Sequence, residues 1–244
     1  MFSLINREIN SFLNSVIGYV VIAVFLITVS LFLWVFPDTT FNILDSGYAG
    51  LEGLFSISPW VFMFLIPAIT MRLFAEEKKS GTIELLLTRP LTELQIVFSK
   101  YLAGQVLVMI SLLPTLVFYY TVYELATPIG NVDTGSIWGS YIGLFFLSAG
   151  FVSIGLFASS VTDNQVVAFI IAMFLCFVCF LGFESISTLL PTGSLSSIIY
   201  AMGINAHYIS MSRGVVDSRD LIYFLSLITL FIFLTRLVLE SRKW

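Results

Sequence analysis

Cys176 and Cys179 stand in C-x-x-C spacing, which suits a dithiol redox pair or half of a zinc site. They sit among Phe174, Leu175, Phe177, Val178 and Phe180 in an uncharged stretch. Free cysteine there behaves as a small hydrophobe, and packing is the reading adopted. The one histidine, His207, gives no H-E-x-x-H motif and leaves any Ser-His-Asp constellation resting on a single imidazole. It reads as a satisfied interfacial residue, with a ligand or pH-sensing role as the alternative. No Gly is followed by Lys, so the G-x-x-x-x-G-K-[ST] phosphate loop is absent and the chain cannot hold ATP in that way. No catalytic group and no metal site emerges.

The chemistry that remains is electrostatic. Nine ionisable residues fall between Arg72 and Lys100, over a third of the charge in the chain. The run there reads Ala75-Glu76-Glu77-Lys78-Lys79-Ser80-Gly81-Thr82-Ile83-Glu84-Leu85-Leu86-Leu87-Thr88-Arg89-Pro90. Gly81 and Thr82 can open a short helix, with Glu84 in its first turn. Pro90 ends it by Arg89. Such a helix carries Ile83, Leu86 and Leu87 on one side and Glu84 and Thr88 on another. It projects as a rigid piece shaped for a groove on a partner; a solvated loop lying on the membrane is the alternative. Thr92-Glu93-Leu94-Gln95 reads as a capping box that starts the next long helix.

The elements that carry this segment follow from composition. The 244 residues are 58% hydrophobic and 11% charged, with mean hydropathy +1.00, against about 25% charge in soluble domains. A soluble enzyme, a disordered chain and a disulfide-stapled secreted domain are excluded. A net charge of −4 also removes the basic excess of a nucleic-acid binder. About 20 apolar residues cross a bilayer core of about 30 Å, and six stretches qualify: 16–36, 54–74, 101–123, 137–160, 164–183 and 221–239. The expected fold is an all-α integral membrane protein, one domain over 1–244. Placing the N-terminus inside puts nine basic residues on inner segments and only Arg213 and Arg219 on outer ones. That is the positive-inside pattern, with both termini cytoplasmic. Residues 2–14 mix apolar and polar side chains as an amphipathic helix on the inner membrane surface would; a frayed terminus is the alternative.

Gly135, Gly139 and Gly143 recur every four residues in the fourth span and continue through Gly155 and Ser159. Such a ridge admits a close helix neighbour, within the bundle or at a subunit interface. Pro59, Pro67 and Pro114 lie within spans as hinges or as static kinks. The stretch 184–219 interleaves Ser and Thr with Ile and Leu and is broken by Pro191 and Gly193. It is too polar to span.

The run E-E-K-K-S-G-T-I-E-L-L-L-T-R-P resembles the signature of the ABC-2 type permease family. Glu76, Glu77, Lys78, Gly81, Thr82, Glu84, Leu85, Leu86 and Pro90 match by residue. Residues 12–19, the tight turn around Asp163, Asn164 and Gln165, and residues 207–220 are similar too, so the likeness covers nearly the whole chain. The wording around Asp163 and from Gly214 to Asp220 most resembles the gliding-motility branch, the F component of those systems in Bacteroidota.

The resemblance implies six spans of ABC-2 exporter type in the bacterial inner membrane. It implies a cytoplasmic coupling helix over about 81–90 and short re-entrant helices on the outer leaflet between spans five and six. It also implies an ABC ATPase partner in two copies that binds ATP and Mg, no cofactor on this chain, and a second permease copy or paralogue, possibly with a large periplasmic domain. Membrane lipids surround it, and no nucleic acid is involved. ATPase closure would move spans two and three through the coupling helix by alternating access. A non-transporting anchor for gliding or secretion machinery is the other reading, and an intramembrane enzyme a third.

Overall fold

The computed structural model describes residues 1–87, 91–191 and 193–241. The expected helix end at Arg89–Pro90, the position of Thr88, and Thr192, Arg242 and Lys243 lie outside them. Among the described residues the chain is helical with no strand. Six helices are long and apolar enough to cross a membrane: Val16–Val35, Glu52–Lys79, Glu93–Leu125, Thr134–Val161, Gln165–Leu189 and Ser218–Glu240.

Five of the six spans begin where polar side chains close the first turn; the second, after Leu51, has no side-chain cap. Ser15 caps α2 (Val16–Ser30), accepting from the Gly18 N–H. The capping box expected at Thr92 forms and starts α6 (Glu93–Leu112) eight residues before the apolar stretch begins. Asp133, Asn164 and Asp217 cap α8 (Thr134–Val161), α9 (Gln165–Phe177) and α13 (Ser218–Glu240) through their side chains. These bonds satisfy N–H groups that the helix leaves orphaned. The second span, α3 (Glu52–Thr70), runs on through Met71 into α4 (Arg72–Lys79), and a five-residue helix, α5 (Ile83–Leu87), follows. After α6 a single 3-10 turn leads into α7 (Leu116–Leu125). A π turn carries α9 into α10 (Phe183–Leu189), and two further short helices, α11 (Ser194–Ala201) and α12 (Ile204–Met211), precede α13. The N-terminal segment is helical as α1 (Phe2–Leu13), with Leu4, Ile5 and Phe12 buried and Asn6, Arg7 and Asn10 exposed. It packs on α6 and α2.

At the centre stands α8, which touches α3, α4, α6, α9, α12 and α13. Its most apolar window is 78% buried, against 22% for α2 and 17% for α13. Bilayer chains are as apolar as leucine, so helices in lipid associate through close packing. The small residues of α8 supply it. A Cβ on Gly139 would lie 2.4 Å from the Gly214 carbonyl oxygen, and one on Gly143 would lie 2.8 Å from Met211. Both glycines therefore admit α12 and its following turn within this chain. Gly135 departs from the expectation: it is exposed, and only the Asp133 carboxylate comes within 4 Å of its Cβ position.

Pro59 lacks an N–H, so the Phe55 carbonyl one turn earlier loses its helical partner. The buried Tyr208 hydroxyl of α12 takes its place at 2.6 Å. At this position the carbonyl that proline leaves free is tied to a neighbouring helix. His207 is satisfied as expected: Nδ1 lies 2.7 Å from Asp220, Nε2 lies 2.9 Å from the Ala201 carbonyl, and the ring stacks on Tyr223. Cys176 is buried in the core beside the partly buried Cys179, both as free thiols.

Candidate coupling face

Strong helix formers build α4, and Arg72 pairs with Glu76 one turn on at 2.9 Å. Lys78 and Lys79 stand in its last turn, where cations favour the helix dipole. Gly81 has φ +71° and is the left-handed residue that closes α4. This corrects the expectation that Gly81 opens the next helix. Thr82 opens it: its carbonyl accepts the Leu86 N–H at 3.2 Å, and Glu84 lies in the first turn.

Ile83 and Leu86 share one side of α5 and Glu84 lies on another, as expected, but the apolar side points inward and not toward a partner groove. Ile83 and Leu86 are buried in the chain's own core, while Leu85 is 68% exposed and Glu84 is exposed beside it. Leu86 therefore anchors the helix, and the surface open to a partner carries Leu85 and Glu84.

The root of this helix pair is held at three places. Lys100, seven residues into α6, is completely buried. Its Nζ lies 3.1 Å from Glu8 and 2.9 Å from Glu77. It also donates to the Leu73 carbonyl and stands 5.1 Å above the Phe74 ring. Arg7 completes the cluster, 2.6 Å from Glu8 and 2.5 Å from Glu77. Burial by itself would lower the Arg7 pKa, but hydrogen bonds and charge from Glu8 and Glu77 outweigh it, and the value is raised. Two acids and two bases thus tie α1, α4 and α6 together.

The second tie is Ser159 of α8. Its Oγ accepts from the Phe74 and Ala75 N–H groups at 3.0 and 3.1 Å and donates to the Met71 carbonyl at 2.9 Å. One hydroxyl offers one donor and two acceptor sites, so it is saturated at the junction of α3 and α4. Gly155, one turn earlier, lets Thr70 in: a Cβ there would lie 2.1 Å from the Thr70 hydroxyl. The third tie is Lys78, which donates to the Ser160 carbonyl near the end of α8.

The turn between α8 and α9 is as short as expected. The Asn164 side chain caps α9 through the Val166 N–H at 2.9 Å, Asp163 is exposed, and Gln165 begins the helix. Of the sequence-selected residues, Glu77 and Lys78 enter the locking contacts, while Glu76 and Glu84 stay outward. Arg7, Glu8, Lys100 and Ser159 were not selected as site residues. Lys100 carried one usable signal, since the Thr92 capping box puts it two turns inside a helix running into an apolar span. Replacing Ser159 with Ala leaves two buried N–H groups without an acceptor and lowers stability by about 1–3 kcal/mol. Thermal unfolding in detergent, compared with the exposed Ser197→Ala, measures it.

A bundle of six membrane-capable helices, with α4 and α5 tied to it at one end, is a multi-pass membrane protein. Residues 55–241 match the ABC-2 family transporter protein family. The chain belongs to that family and is a transmembrane permease subunit, a class that associates with an ABC ATPase. The match begins inside α3, so α1 and α2 lie outside it. A comparison with curated proteins gives no match.

Proposed function

We propose that this chain couples ATP hydrolysis by a separate ABC ATPase, present in two copies, to export or conformational work across the bacterial inner membrane. The observation that carries the reading is the pairing of an outward Leu85 and Glu84 with a root locked into α1, α6 and α8. A push on α5 reaches α3 directly through α4, and reaches α6 through Glu77 and Lys100. Nine inner basic residues against two outer ones favour the orientation with both termini cytoplasmic. Six spans leave a translocation path to be completed by a second permease copy or paralogue. The motif wording around Asp163 and from Gly214 to Asp220 supports a place in the gliding-motility branch. ATP closes the ATPase pair, the α4–α5 unit carries the motion into α3 and α6, and hydrolysis resets it.

The test is capture of the ATPase. The affinity-tagged chain is expressed from its own locus as wild type, Leu85→Asp and Glu84→Lys, and the eluates are assayed for a Walker-motif subunit and for ATP hydrolysis. Burying a leucine contributes about 1.5–3 kcal/mol, so Leu85→Asp is expected to reduce ATPase recovery about tenfold or more. Equal recovery with all three chains overturns the assignment of α5 as the docking element. Vesicles holding the whole complex then read ATP-dependent cargo movement against ATP turnover.

A further inference from the structure

A cavity of about 660 Å³ opens at the end of the bundle opposite α4 and α5. It lies where the first turns of α3 and α8 meet the turn after α12. Glu52 belongs to the first turn of α3, Asp133 is the cap of α8, and Arg213 follows α12. Buried Leu51, Phe55 and Ile137 form an apolar floor.

The two carboxylates on the rim are each held by one hydrogen bond and have binding capacity left, and the backbone that carries the cation is pinned beside them. Glu52 accepts one hydrogen bond, from Tyr48 at 2.8 Å. That bond raises the Tyr48 pKa, so the phenol stays a donor. Asp133 uses Oδ1 on the Ser136 N–H at 3.1 Å. The Ser136 hydroxyl in turn donates to the Arg213 carbonyl at 3.1 Å, and Ser140 donates to the Ser212 carbonyl at 2.9 Å. Ser136 thereby fixes the Arg213 backbone beside the Asp133 cap. Among the described residues the Arg213 guanidinium has no hydrogen bond and no ion pair, with either carboxylate or with any other group.

Opposite charges thus share one cavity without closing on each other. A simple anion meets two carboxylates there, and a simple cation meets a guanidinium. A molecule carrying both charges a few ångströms apart satisfies all three. The planar guanidinium fork suits phosphate, and the free carboxylate oxygens suit the three N–H donors of a primary ammonium. First turns of membrane-spanning helices lie at the level of lipid headgroups.

We propose that this cavity binds an aminophosphate headgroup, its phosphate on Arg213 and its primary amine on Glu52 and Asp133, supplied by a membrane phospholipid. The site goes beyond the coupling function and holds whether or not the chain moves cargo.

The test is native mass spectrometry of the purified full chain exchanged into phosphatidylethanolamine, phosphatidylcholine or phosphatidylglycerol. Phosphatidylethanolamine is expected to be retained about tenfold better than the other two, since a quaternary ammonium cannot donate hydrogen bonds and phosphatidylglycerol has no cation. Glu52→Gln with Asp133→Asn should remove that preference, and Arg213→Gln should lower the retention of all three lipids, which share the phosphate. The amide side chains keep the Tyr48 bond and the helix cap, so folding is preserved, and unfolding curves check it. Equal retention of the three lipids, an unchanged preference in the folded carboxylate variant, or unchanged retention in folded Arg213→Gln overturns the site. Water-soluble glycerophosphoethanolamine separates the sources. Binding about tenfold weaker than the lipid supports the membrane source, and equal binding overturns it. ATPase capture through α5 is an independent readout, so either proposal can fail while the other stands.

Discussion

Lys100→Met lowers the stability of this protein by about 3–5 kcal/mol, the scale for removing one partner from a buried ion pair. The substituted side chain fills a similar volume, so the loss is electrostatic. Glu8 and Glu77, each with 13% of its side chain exposed, are left with Arg7 alone, and the cluster passes from neutral to −1. The effect is local first. Because Lys100 and Glu77 hold α1 to α6 and α4, hydrogen exchange in α1 accelerates before that in α8. Combining Lys100→Met with Glu8→Gln and Glu77→Gln leaves no buried charge without a counter-charge, and most of the stability returns. Thermal unfolding in detergent, with hydrogen exchange read by peptide, measures both. A single variant as stable as wild type refutes the argument. A triple variant no better than the single one shows that Lys100 acts by packing.

Gly139→Val is expected to lower stability by about 3 kcal/mol or more, since overpacking against a rigid neighbour costs about 1–3 kcal/mol and two hydrogen bonds go with it. The neighbour is backbone. A Cβ at Gly139 would lie 2.4, 2.7 and 2.8 Å from the oxygen, Cα and carbonyl carbon of Gly214. Gly214 cannot retreat cheaply. It has φ +83°, and a Cβ on it would lie 2.4 Å from the Ser136 Cα. The turn must lift off α8, and the Ser136–Arg213 and Ser140–Ser212 bonds break with it. Exchange then rises over 208–216 while α5 stays protected. Gly135→Ala is the control. With only the Asp133 carboxylate near it, at 3.5 Å, it changes stability by about 0.5 kcal/mol or less.

These two sites differ in how far the sequence discloses them. The glycine spacing is legible as a stripe of small residues, because a helical period of 3.6 places every fourth residue on one face. The stripe does not say which glycines meet a neighbour, and Gly135 shows the difference. The cluster was less legible still. Arg7 and Glu8 stand 93 and 92 residues before Lys100: the first pair reads as the polar face of an amphipathic helix, and Lys100 as an inner-loop charge. Nothing local links them, since the energy of an ion pair depends on a separation that only packing sets. The α5 helix was half legible. Its existence followed from Thr82, Glu84 and the leucines, but Ile83 and Leu86 turned inward and left Leu85 outside.

The amino-acid order by itself determined the six spans, the capping box at Thr92 that starts the third, the sorting of charge to their ends and the motif that marks the family. These are properties of single segments: hydropathy over about 20 residues, hydrogen bonds within one turn and transfer free energies of side chains. Only the tertiary structure decided that α8 is the centre, that Tyr208 bonds the carbonyl vacated at Pro59, that Ser159 and Lys100 lock the root of α4, and that Arg213, Glu52 and Asp133 line one cavity. Each of those depends on two segments far apart in the chain meeting within a few ångströms, and hydropathy and helical period carry no information about that distance.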